Sequence, residues 1–249
     1  MKTNWDYTNL ADAYLQRPDY SEDAINAMIK RAGIKDGAKI CDVGAGVAHL
    51  TLMLLERGYN VVAVEPNDAM RANGIIRTKK YGHSAWFEGT GENTGQPAGN
   101  FDMVTFGSSF NVCDRQLALK ETKRILKPGG WFACMWNHRD VNEKIQSTIE
   151  SIIKNEIDGY GYGTRREDQT EEINKSGLFK EVYKMEGNVM HKQTIADCVE
   201  AWRSHATLER QAGDKFSVII TKIEAYLNTL NVKEIDIPYT TRIWVAQLK

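Results

Sequence analysis

The sequence lacks the features of several large protein classes. None of its apolar runs approaches the roughly 20 residues that a membrane-spanning helix requires. Its formal net charge is −1 over 249 residues, so no overall basic field is expected to attract nucleic acid. The cysteines are scattered and form no Cys-x-x-Cys pair, which argues against a metal site such as zinc and against a redox dithiol. These cysteines are Cys41, Cys113, Cys134 and Cys198. We therefore expect no membrane, metal or nucleic-acid partner.

The amino end shows no charged region followed by an apolar stretch, so no signal peptide is expected. Cys41 and Cys134 lie in strand-like runs and are expected to be buried thiols, which favours a reducing, cytoplasmic setting. A chain of 249 residues fits one α/β domain with an added cap better than two domains. We expect a monomer or a homodimer.

Strand-like and helical patterns alternate through the first half of the chain. Ser21 as an N-cap and Gly33 as a stop predict a helix between them. Strand-like runs are predicted near residues 38–43, 60–65, 84–88, 101–106 and 130–136. Helical patterns separate most of them, near residues 47–57, 67–80 and 114–126. This alternation predicts parallel strands joined by right-handed crossovers, with ligands bound at the carboxyl ends of the strands.

The pattern changes beyond residue 137. A helical stretch over about 141–157 precedes a glycine-aromatic loop at 159–166, GYGYGTRR. A strand is predicted near 178–187, two helical patterns over about 194–230, and a last strand over 235–247. No repeat or low-complexity tract interrupts this order.

One strand–turn–helix–strand unit is the most informative part of the sequence. Residues 38–51 read AKICDVGAGVAHLT, and residues 61–66 read VVAVEP. Gly44 and Gly46 permit a tight turn that a ligand can approach closely. Glu65, at the end of the second strand, is placed to accept hydrogen bonds from two ribose hydroxyls, about 20 residues after the turn. The unit predicts nucleoside binding.

Two nucleoside cofactors compete for this unit. The dinucleotide pattern Gly-x-Gly-x-x-Gly would need its third glycine where the chain has His49, so that pattern fails. S-adenosylmethionine has no pyrophosphate. The turn therefore only needs to lie beside its methionyl part and to leave room for the ribose. The residues favour S-adenosyl-L-methionine, with a nicotinamide oxidoreductase as a weaker alternative.

Three further segments extend the pattern. They are residues 88–97 (EGTGENTGQP) ahead of a strand, residues 117–130 (LALKETKRILKPGG), and residues 14–20 (YLQRPDY). In this order and spacing the chain resembles the class I S-adenosylmethionine-dependent methyltransferases, and most closely the small-molecule group of trans-aconitate methyltransferase-like enzymes. The resemblance implies an α/β fold with a doubly wound, mostly parallel, seven-stranded Rossmann-like sheet. Its last two strands would form an antiparallel hairpin at one edge, next to a helical substrate cap.

The implied organisation is a single methyltransferase domain. Its expected parts are a cofactor-binding core at about 34–137 and cap elements from 1–20, 138–176 and 192–231. Near the amino end, Trp5 and Tyr7 could form a lid over the cleft or pack as ordinary aromatics.

The resemblance also implies cofactor contacts. Asp42 would help to hold the methionyl ammonium, Arg17 the methionyl carboxylate and Glu65 the ribose. Pro66 and Met70 would flank the adenine. The full predicted set is Tyr14, Arg17, Asp42, Gly44, Ala45, Gly46, Glu65, Pro66, Met70, Thr90, Gly91, Glu92, Gly107 and Ser108.

The chain departs from the family at three places. Ala48 stands where a third glycine is common, and close helix packing is expected to survive. Thr90 stands where the family often has Asp, which puts the usual carboxylate contact to the adenine amine in doubt. Residues 107–112, GSSFNV, end in Asn111 and Val112 where the family often has His-Trp. Asn111 could orient an acceptor but could not abstract its proton.

The candidate catalytic residues are therefore His138, Asn111 and His205, with His191, Tyr7 and Tyr14 behind them. His138 ranks first because it is expected just after the fifth strand, at the ligand edge of the sheet. His49 is expected to be structural. Arg165 and Arg166 either meet an anionic substrate or are solvated loop charges.

Together the patterns predict metal-independent methyl transfer from S-adenosylmethionine to an O or N atom, possibly C, of a small molecule by in-line displacement. Two alternatives stay open at this point. One is a protein or RNA methyltransferase. The other is a non-catalytic cofactor-binding scaffold. A scaffold would explain the missing family histidine, but it would have no need of Glu65 to bind a ribose.

Overall fold

The computed structural model describes residues 8–249, apart from the side chain of Asn9. Trp5 and Tyr7 lie outside the described residues, so their assignment to a lid stays a prediction. Within residues 8–249, none of the helices combines the length and the apolar character needed to cross a membrane.

The described chain builds one seven-stranded sheet with strand order β3-β2-β1-β4-β5-β7-β6. The strands are Lys39–Val43 (β1), Asn60–Val64 (β2), Ser84–Phe87 (β3), Phe101–Gly107 (β4), Leu126–Arg139 (β5), Phe179–Thr194 (β6) and Glu234–Leu248 (β7). β1 to β5 pair in parallel, while β7 pairs antiparallel with both β5 and β6. The expected doubly wound α/β sheet with an antiparallel edge hairpin is confirmed.

Helices connect the strands and cover the sheet. They are Ala11–Tyr14 (α1), Glu22–Ala32 (α2), His49–Glu56 (α3), Asp68–Thr78 (α4), Arg115–Ile125 (α5), Lys144–Glu156 (α6), Thr170–Lys175 (α7), Ile195–Arg203 (α8), Ala206–Ala212 (α9) and Phe216–Thr229 (α10). Side chains cap several of them as the sequence predicts. Ser21 accepts from the amide of Ala24 at the start of α2, and Gly33 ends that helix at φ 61°.

Two apolar clusters lie on opposite faces of the sheet. Ile25 and Leu54 of α2 and α3 belong to one cluster, and Leu119 and Ile173 of α5 and α7 belong to the other. The inner parallel strands are buried on both faces, as their continuous apolar runs require. α7 therefore packs with the core layer, although it falls inside the range 138–176 that was expected to supply cap elements.

The antiparallel hairpin is much longer than its apolar run suggested. β6 continues to Thr194, where the sequence predicted an end near 187, because it pairs with β7 through Thr194 and Glu234. β5 likewise continues to Arg139 by pairing with Tyr239. The placement of His138 after the fifth strand is therefore wrong, since it lies within β5 opposite Thr240. Cross-strand hydrogen bonds hold these polar residues in a strand that their sequence alone does not favour.

The far end of the hairpin carries the cap. A third apolar cluster joins α6, α8, α9 and α10 to residues of β7, including Trp202, Leu208, Ile223 and Ile237. Three helices, not two, lie between β6 and β7. The extra break falls at His205, whose Nδ1 accepts a hydrogen bond from the amide of Leu208 (3.1 Å) and so caps α9.

Candidate active site

A cavity of about 470 Å³ opens between the carboxyl ends of the parallel strands and the cap. This volume lies within the range of small-molecule sites, and the position is the one that open α/β sheets use for ligands. Every predicted cofactor residue lines the cavity: Tyr14, Arg17, Asp42, Gly44, Ala45, Gly46, Glu65, Pro66, Met70, Thr90, Gly91, Glu92, Gly107 and Ser108. Their contact with a ligand stays a prediction.

The glycine turn after β1 has the expected geometry. Gly44 and Gly46 adopt φ values of 67° and 55°, in the left-handed region that glycine favours. The amide of Gly44 donates to the carbonyl of Val64 (2.8 Å), and a Cβ on Gly44 would lie 2.4 Å from that of Ser109. A Cβ on Gly46 would meet no atom within 4 Å. Gly44 is thus required by packing, whereas Gly46 borders open space.

The turn is tied to the carboxylate of Glu65 at the end of β2. Glu65 is 6% exposed, and its Oε2 accepts from the amide of Gly46 while its Oε1 accepts from that of Asn67, each at 2.9 Å. Burial raises the pKa of Glu65, and the two amides partly oppose that rise. Each oxygen keeps a lone pair, so the carboxylate can also accept from two hydroxyls.

Asp42 is fully buried beneath the turn. Its Oδ2 accepts from the hydroxyl of Thr51 (2.6 Å) and its Oδ1 from that of Thr105 (3.0 Å). Burial raises the pKa of Asp42 to about 6, against the effect of these hydrogen bonds. Within the described residues no cation forms an ion pair with it. A cationic ligand group would offset the cost of burying this charge.

The loop after β3 forms another wall of the cavity. The amide of Thr90 donates to the carbonyl of Asn93 (2.9 Å), and the Thr90 hydroxyl accepts from the Asn93 amide (3.2 Å). Glu92 accepts from the amide of Asp114 (2.6 Å). Thr90 therefore stabilises its own turn, and Glu92 anchors the start of α5. Met70 is 3% exposed and packs with Val47 beside this wall.

Residues 8–20, the amino-terminal segment, run across the cavity to the cap. Arg17 stacks on the ring of Tyr14 at 3.8 Å and donates to the carbonyl of Ser204 (2.8 Å). His49 contacts the segment from α3, with Nδ1 2.7 Å from Asp19 Oδ1 and Nε2 2.9 Å from the carbonyl oxygen of Tyr14. His49 is therefore structural, as expected, because it fixes this segment.

The end of β4 adds a tyrosine that the sequence reading missed. Tyr20 Oη lies 2.9 Å from Ser108 Oγ, and a Cβ on Gly107 would lie 3.0 Å from the same Tyr20 oxygen. Ser108 adopts φ 60°. Tyr20 lies in the quoted segment YLQRPDY, but only the tertiary structure brings it against β4.

Two of the three candidate catalytic residues line the cavity, Asn111 as a predicted orienter and His205 as a predicted base. Asn111 accepts from the indole of Trp136 through Oδ1 (2.8 Å). His205 Nδ1 faces the Leu208 amide and its Nε2 lies 3.0 Å from Arg165 Nη2. Both neighbours of His205 are donors, and burial followed by the nearby arginines holds its pKa well below the usual range. A neutral imidazole carries one N–H, so the ring can accept from only one of these two donors, and a second proton would meet the other.

His138, the first-ranked candidate, is not among the residues that line the cavity. Its Nε2 donates to the carbonyl of Arg165 (3.1 Å), and burial, with Arg166 next, lowers its pKa to about 4. The ring is therefore neutral near pH 7 and supports the loop that carries Arg165. A general base needs to reach the acceptor, so this geometry argues against that role. His191 bonds the carbonyl of Gln16 (3.2 Å) on the amino-terminal segment.

The cap side of the cavity is cationic and aromatic. Arg139, Arg165 and Arg166 line it together with Tyr162 and Tyr239. Arg139 was missed, because its place opposite Tyr239 depends on the strand register of the hairpin. Arg165 and Arg166 were noted in the sequence, and they are not solvated loop charges.

The comparisons with known proteins agree with this geometry. Residues 41–134 match a family model described as a methyltransferase domain. This part of the chain is therefore similar to a methyltransferase domain. This matched region runs from β1 into β5 and includes the glycine turn and Glu65. The methyltransferase domain model thus ends before the hairpin and the cap, which build the cap side of the cavity.

Individual relatives of the methyltransferase domain are similar over part of their length. The chain is 32% identical over 124 residues to an uncharacterised methyltransferase of Mycobacterium tuberculosis, which covers 50% of this chain and 48% of that protein. It is 33% identical over 112 residues to the demethylmenaquinone methyltransferase of Staphylococcus saprophyticus, covering 43% of this chain and 48% of that protein. The chain thus spans about half the length of the curated relatives it matches.

A solved structure shows the same fold over a larger part of the chain. It is phosphoethanolamine N-methyltransferase 2 of Haemonchus contortus in complex with S-adenosyl-L-methionine, with a TM-score of 0.55 and 16% identity. The alignment covers 99% of this chain and 58% of that one. The fold is that of a Rossmann-like methyltransferase.

Proposed function

We propose that the protein transfers a methyl group from S-adenosyl-L-methionine to a small-molecule acceptor. The observation that carries the proposal is the buried carboxylate of Glu65, bonded to the amide of Gly46 at the end of the neighbouring strand. Such a carboxylate fits a ribose diol, and the open space at Gly46 leaves room for the rest of a nucleoside. The methyltransferase domain match over residues 41–134 supports the same cofactor.

The residues of the cavity fit the chemical groups of this cofactor. Glu65 would accept from the ribose, Asp42 would face the methionyl ammonium, and Arg17 and Tyr14 would hold the methionyl carboxylate. Pro66 and Met70 would contact the adenine, together with the loop from Thr90 to Glu92. The bound cofactor supplies an electrophilic methyl group on a sulfonium. The protein aligns the acceptor in the cavity and excludes water from it.

The acceptor atom is proposed to be O or N, with C as a further possibility. Asn111 is an amide and cannot remove a proton, His205 faces two donors, and His138 lies outside the cavity. The acceptor side therefore suits an atom that attacks without prior proton loss to a side chain. The small-molecule group resembled in the sequence, the cytoplasmic location and a monomeric or homodimeric state stay predictions.

Calorimetry on the full chain tests the cofactor assignment. We expect saturable binding of S-adenosylmethionine and S-adenosylhomocysteine and no binding of NADH. Glu65→Ala is expected to weaken S-adenosylhomocysteine binding by about 1–3 kcal/mol, the scale of a lost hydrogen bond to a buried charge. Glu181→Ala, on the exposed face of β6, is the matched control and should bind as the unmodified chain does. Equal affinities for the two variants would refute the ribose contact.

A labelled methyl donor tests turnover. Incubation with radiolabelled S-adenosylmethionine and a metabolite extract should place label in a small product. Binding of the cofactor without any labelled product would instead support a scaffold protein.

A further inference from the structure

Three arginines line the cap side of the cavity without an acidic partner. We call Arg139, Arg165 and Arg166 the arginine cluster. Within residues 8–249, none of these guanidinium groups forms an ion pair. Burying cations without a counter-charge costs folding free energy. Their presence around one cavity therefore suggests that a ligand from outside the chain supplies the counter-charge.

The hydrogen-bond partners of the cluster leave donors unused. Arg139 Nε donates to Tyr239 Oη (2.6 Å), and Arg166 Nη2 donates to the carbonyl of Arg139 (3.1 Å). Arg139 Nη1 and Arg166 Nε are buried and have no hydrogen-bond partner in the described chain. An arginine can only donate, so these groups need an acceptor.

Aromatic rings hold the guanidinium planes in place. Arg139 lies over the ring of Trp202 at 4.0 Å, and Arg166 lies over that of Tyr162 at 3.9 Å. Arg165 is 5.0 Å from the same tyrosine ring. Burial, followed by the charge of Arg17, lowers the pKa of Arg165 to about 10, so it is still a cation at neutral pH. The cluster is thus charged and preorganised.

The carboxylates that line the cavity already have hydrogen-bond partners of their own. Asp42 is bonded by two threonines, Glu65 by two amides and Glu92 by the amide of Asp114. Near the cluster, Glu150 pairs with Lys154 (3.2 Å) and accepts from the hydroxyl of Tyr162. Within residues 8–249, none of these carboxylates forms an ion pair with the arginine cluster.

We infer that the methyl acceptor is a small anion whose carboxylate or phosphate group is held by Arg139, Arg165 and Arg166. This inference rests on the proposed function and names its substrate class. Planar guanidinium groups suit the paired oxygens of a carboxylate or a phosphate. Such an anion would face the three guanidinium groups that line the cavity and would neutralise the cluster. The anionic group serves as the anchor by which the acceptor is aligned with the methyl donor.

Calorimetric titration of small probes tests the substrate class. Succinate and glycerol 3-phosphate are titrated into the full chain with and without saturating S-adenosylhomocysteine, alongside the neutral analogues succinamide and glycerol. We expect at least one anion to bind and neither neutral analogue to do so. Binding of succinate alone would identify a carboxylate site, and binding of glycerol 3-phosphate alone a phosphate site.

Variants of Arg166 connect such binding to the cluster. Arg166→Gln is expected to weaken anion binding about 10- to 100-fold, the effect of losing charged hydrogen bonds. Arg166→Lys keeps the charge but not the planar fork, and should lose less. Arg203→Gln is the matched control, since Arg203 is an exposed cap arginine paired with Glu200 and Glu224. Unchanged S-adenosylhomocysteine affinity shows that each variant is folded.

The two proposals fail differently. If S-adenosylhomocysteine binds but neither anion does, or if succinamide binds as well as succinate, the anionic acceptor is refuted and the cofactor assignment stands. Equal anion affinity in Arg166→Gln and Arg203→Gln would also refute it. Absence of S-adenosylhomocysteine binding refutes the proposed function, while the titration without cofactor still tests the anion site.

Discussion

Asp42 shows at the scale of one residue how a functional site differs from the core around it. Its carboxylate is fully buried, with two threonine hydroxyls as hydrogen-bond donors and no cation paired with it among the described residues. An apolar or amide side chain would be less costly at this position. The methionyl ammonium of the proposed cofactor would supply the missing positive charge.

The raised pKa of Asp42 predicts a pH dependence of stability. The pKa of Asp42, about 6, lies above the ordinary value of 3.8. Protonation of Asp42 therefore favours the folded state of the protein. The advantage is fully present below about pH 4 and is lost as the pH rises through 6. Relative to Asp42→Asn, the free energy of unfolding should therefore fall by roughly 3 kcal/mol between pH 4 and pH 7.

Urea denaturation of both proteins across this range measures the difference. The comparison with Asp42→Asn is needed because other groups, such as His138, titrate with the opposite sign. Parallel curves for the two proteins would contradict the assignment of this pKa to Asp42.

At the scale of an element, His49 of α3 links two parts of the amino-terminal segment. His49 lies between two acceptors, Asp19 Oδ1 and the carbonyl oxygen of Tyr14. Both ring nitrogens can donate only when the ring is protonated. Burial alone would raise the pKa of Asp19, but the hydrogen bond and charge of His49 hold it below its ordinary value.

Replacing His49 should loosen this segment and weaken cofactor binding. His49→Gln can donate to one acceptor but not to both, and we expect a loss of about 1 kcal/mol in S-adenosylhomocysteine affinity because the site is partly exposed. Calorimetry and hydrogen exchange of residues 8–20 measure the effect. His83→Gln is the control, since His83 bonds the carbonyl of Leu55 (3.2 Å) away from the cavity. Identical exchange in both variants would show that His49 does not hold the segment.

The whole molecule consists of a sheet with two buried faces and a cap with an apolar cluster of its own. The methyltransferase domain match covers the first part, and the arginine cluster is built between the two parts. Cofactor and acceptor sites are therefore expected to respond differently to damage in the cap.

Ile223→Ala should destabilise the cap more than the sheet. Ile223 is fully buried in the cap cluster, and its truncation should cost about 2–5 kcal/mol. Hydrogen exchange should rise first in α8, α9 and α10, while S-adenosylhomocysteine binding is largely retained. Leu119→Ala, beneath the sheet, is the matched control and should not expose the cap selectively. Uniform exchange across the chain in Ile223→Ala would show that cap and sheet open as one unit.

The sequence by itself determined the alternation of strands and helices up to residue 137 and the meeting of the glycine turn with Glu65. Gly44, Gly46 and Glu65 could be placed together because strands joined by right-handed crossovers bring their carboxyl ends to one edge of a sheet. That rule can be applied from the sequence because each strand and helix has its own pattern of apolar residues and because the connected strands are close together along the chain.

Only the tertiary structure decided which residues line the cap side of the cavity. Arg139 meets Tyr239 through the register of a long antiparallel hairpin, and Arg165 and Arg166 reach the cavity from a loop that His138 supports. His138 could not be separated from Arg139 by sequence, since neighbours in a strand point to opposite faces and the register selects the face. Pairing over about 100 residues leaves no local signal, and so the arginine-lined side of the cavity appears only in the folded chain.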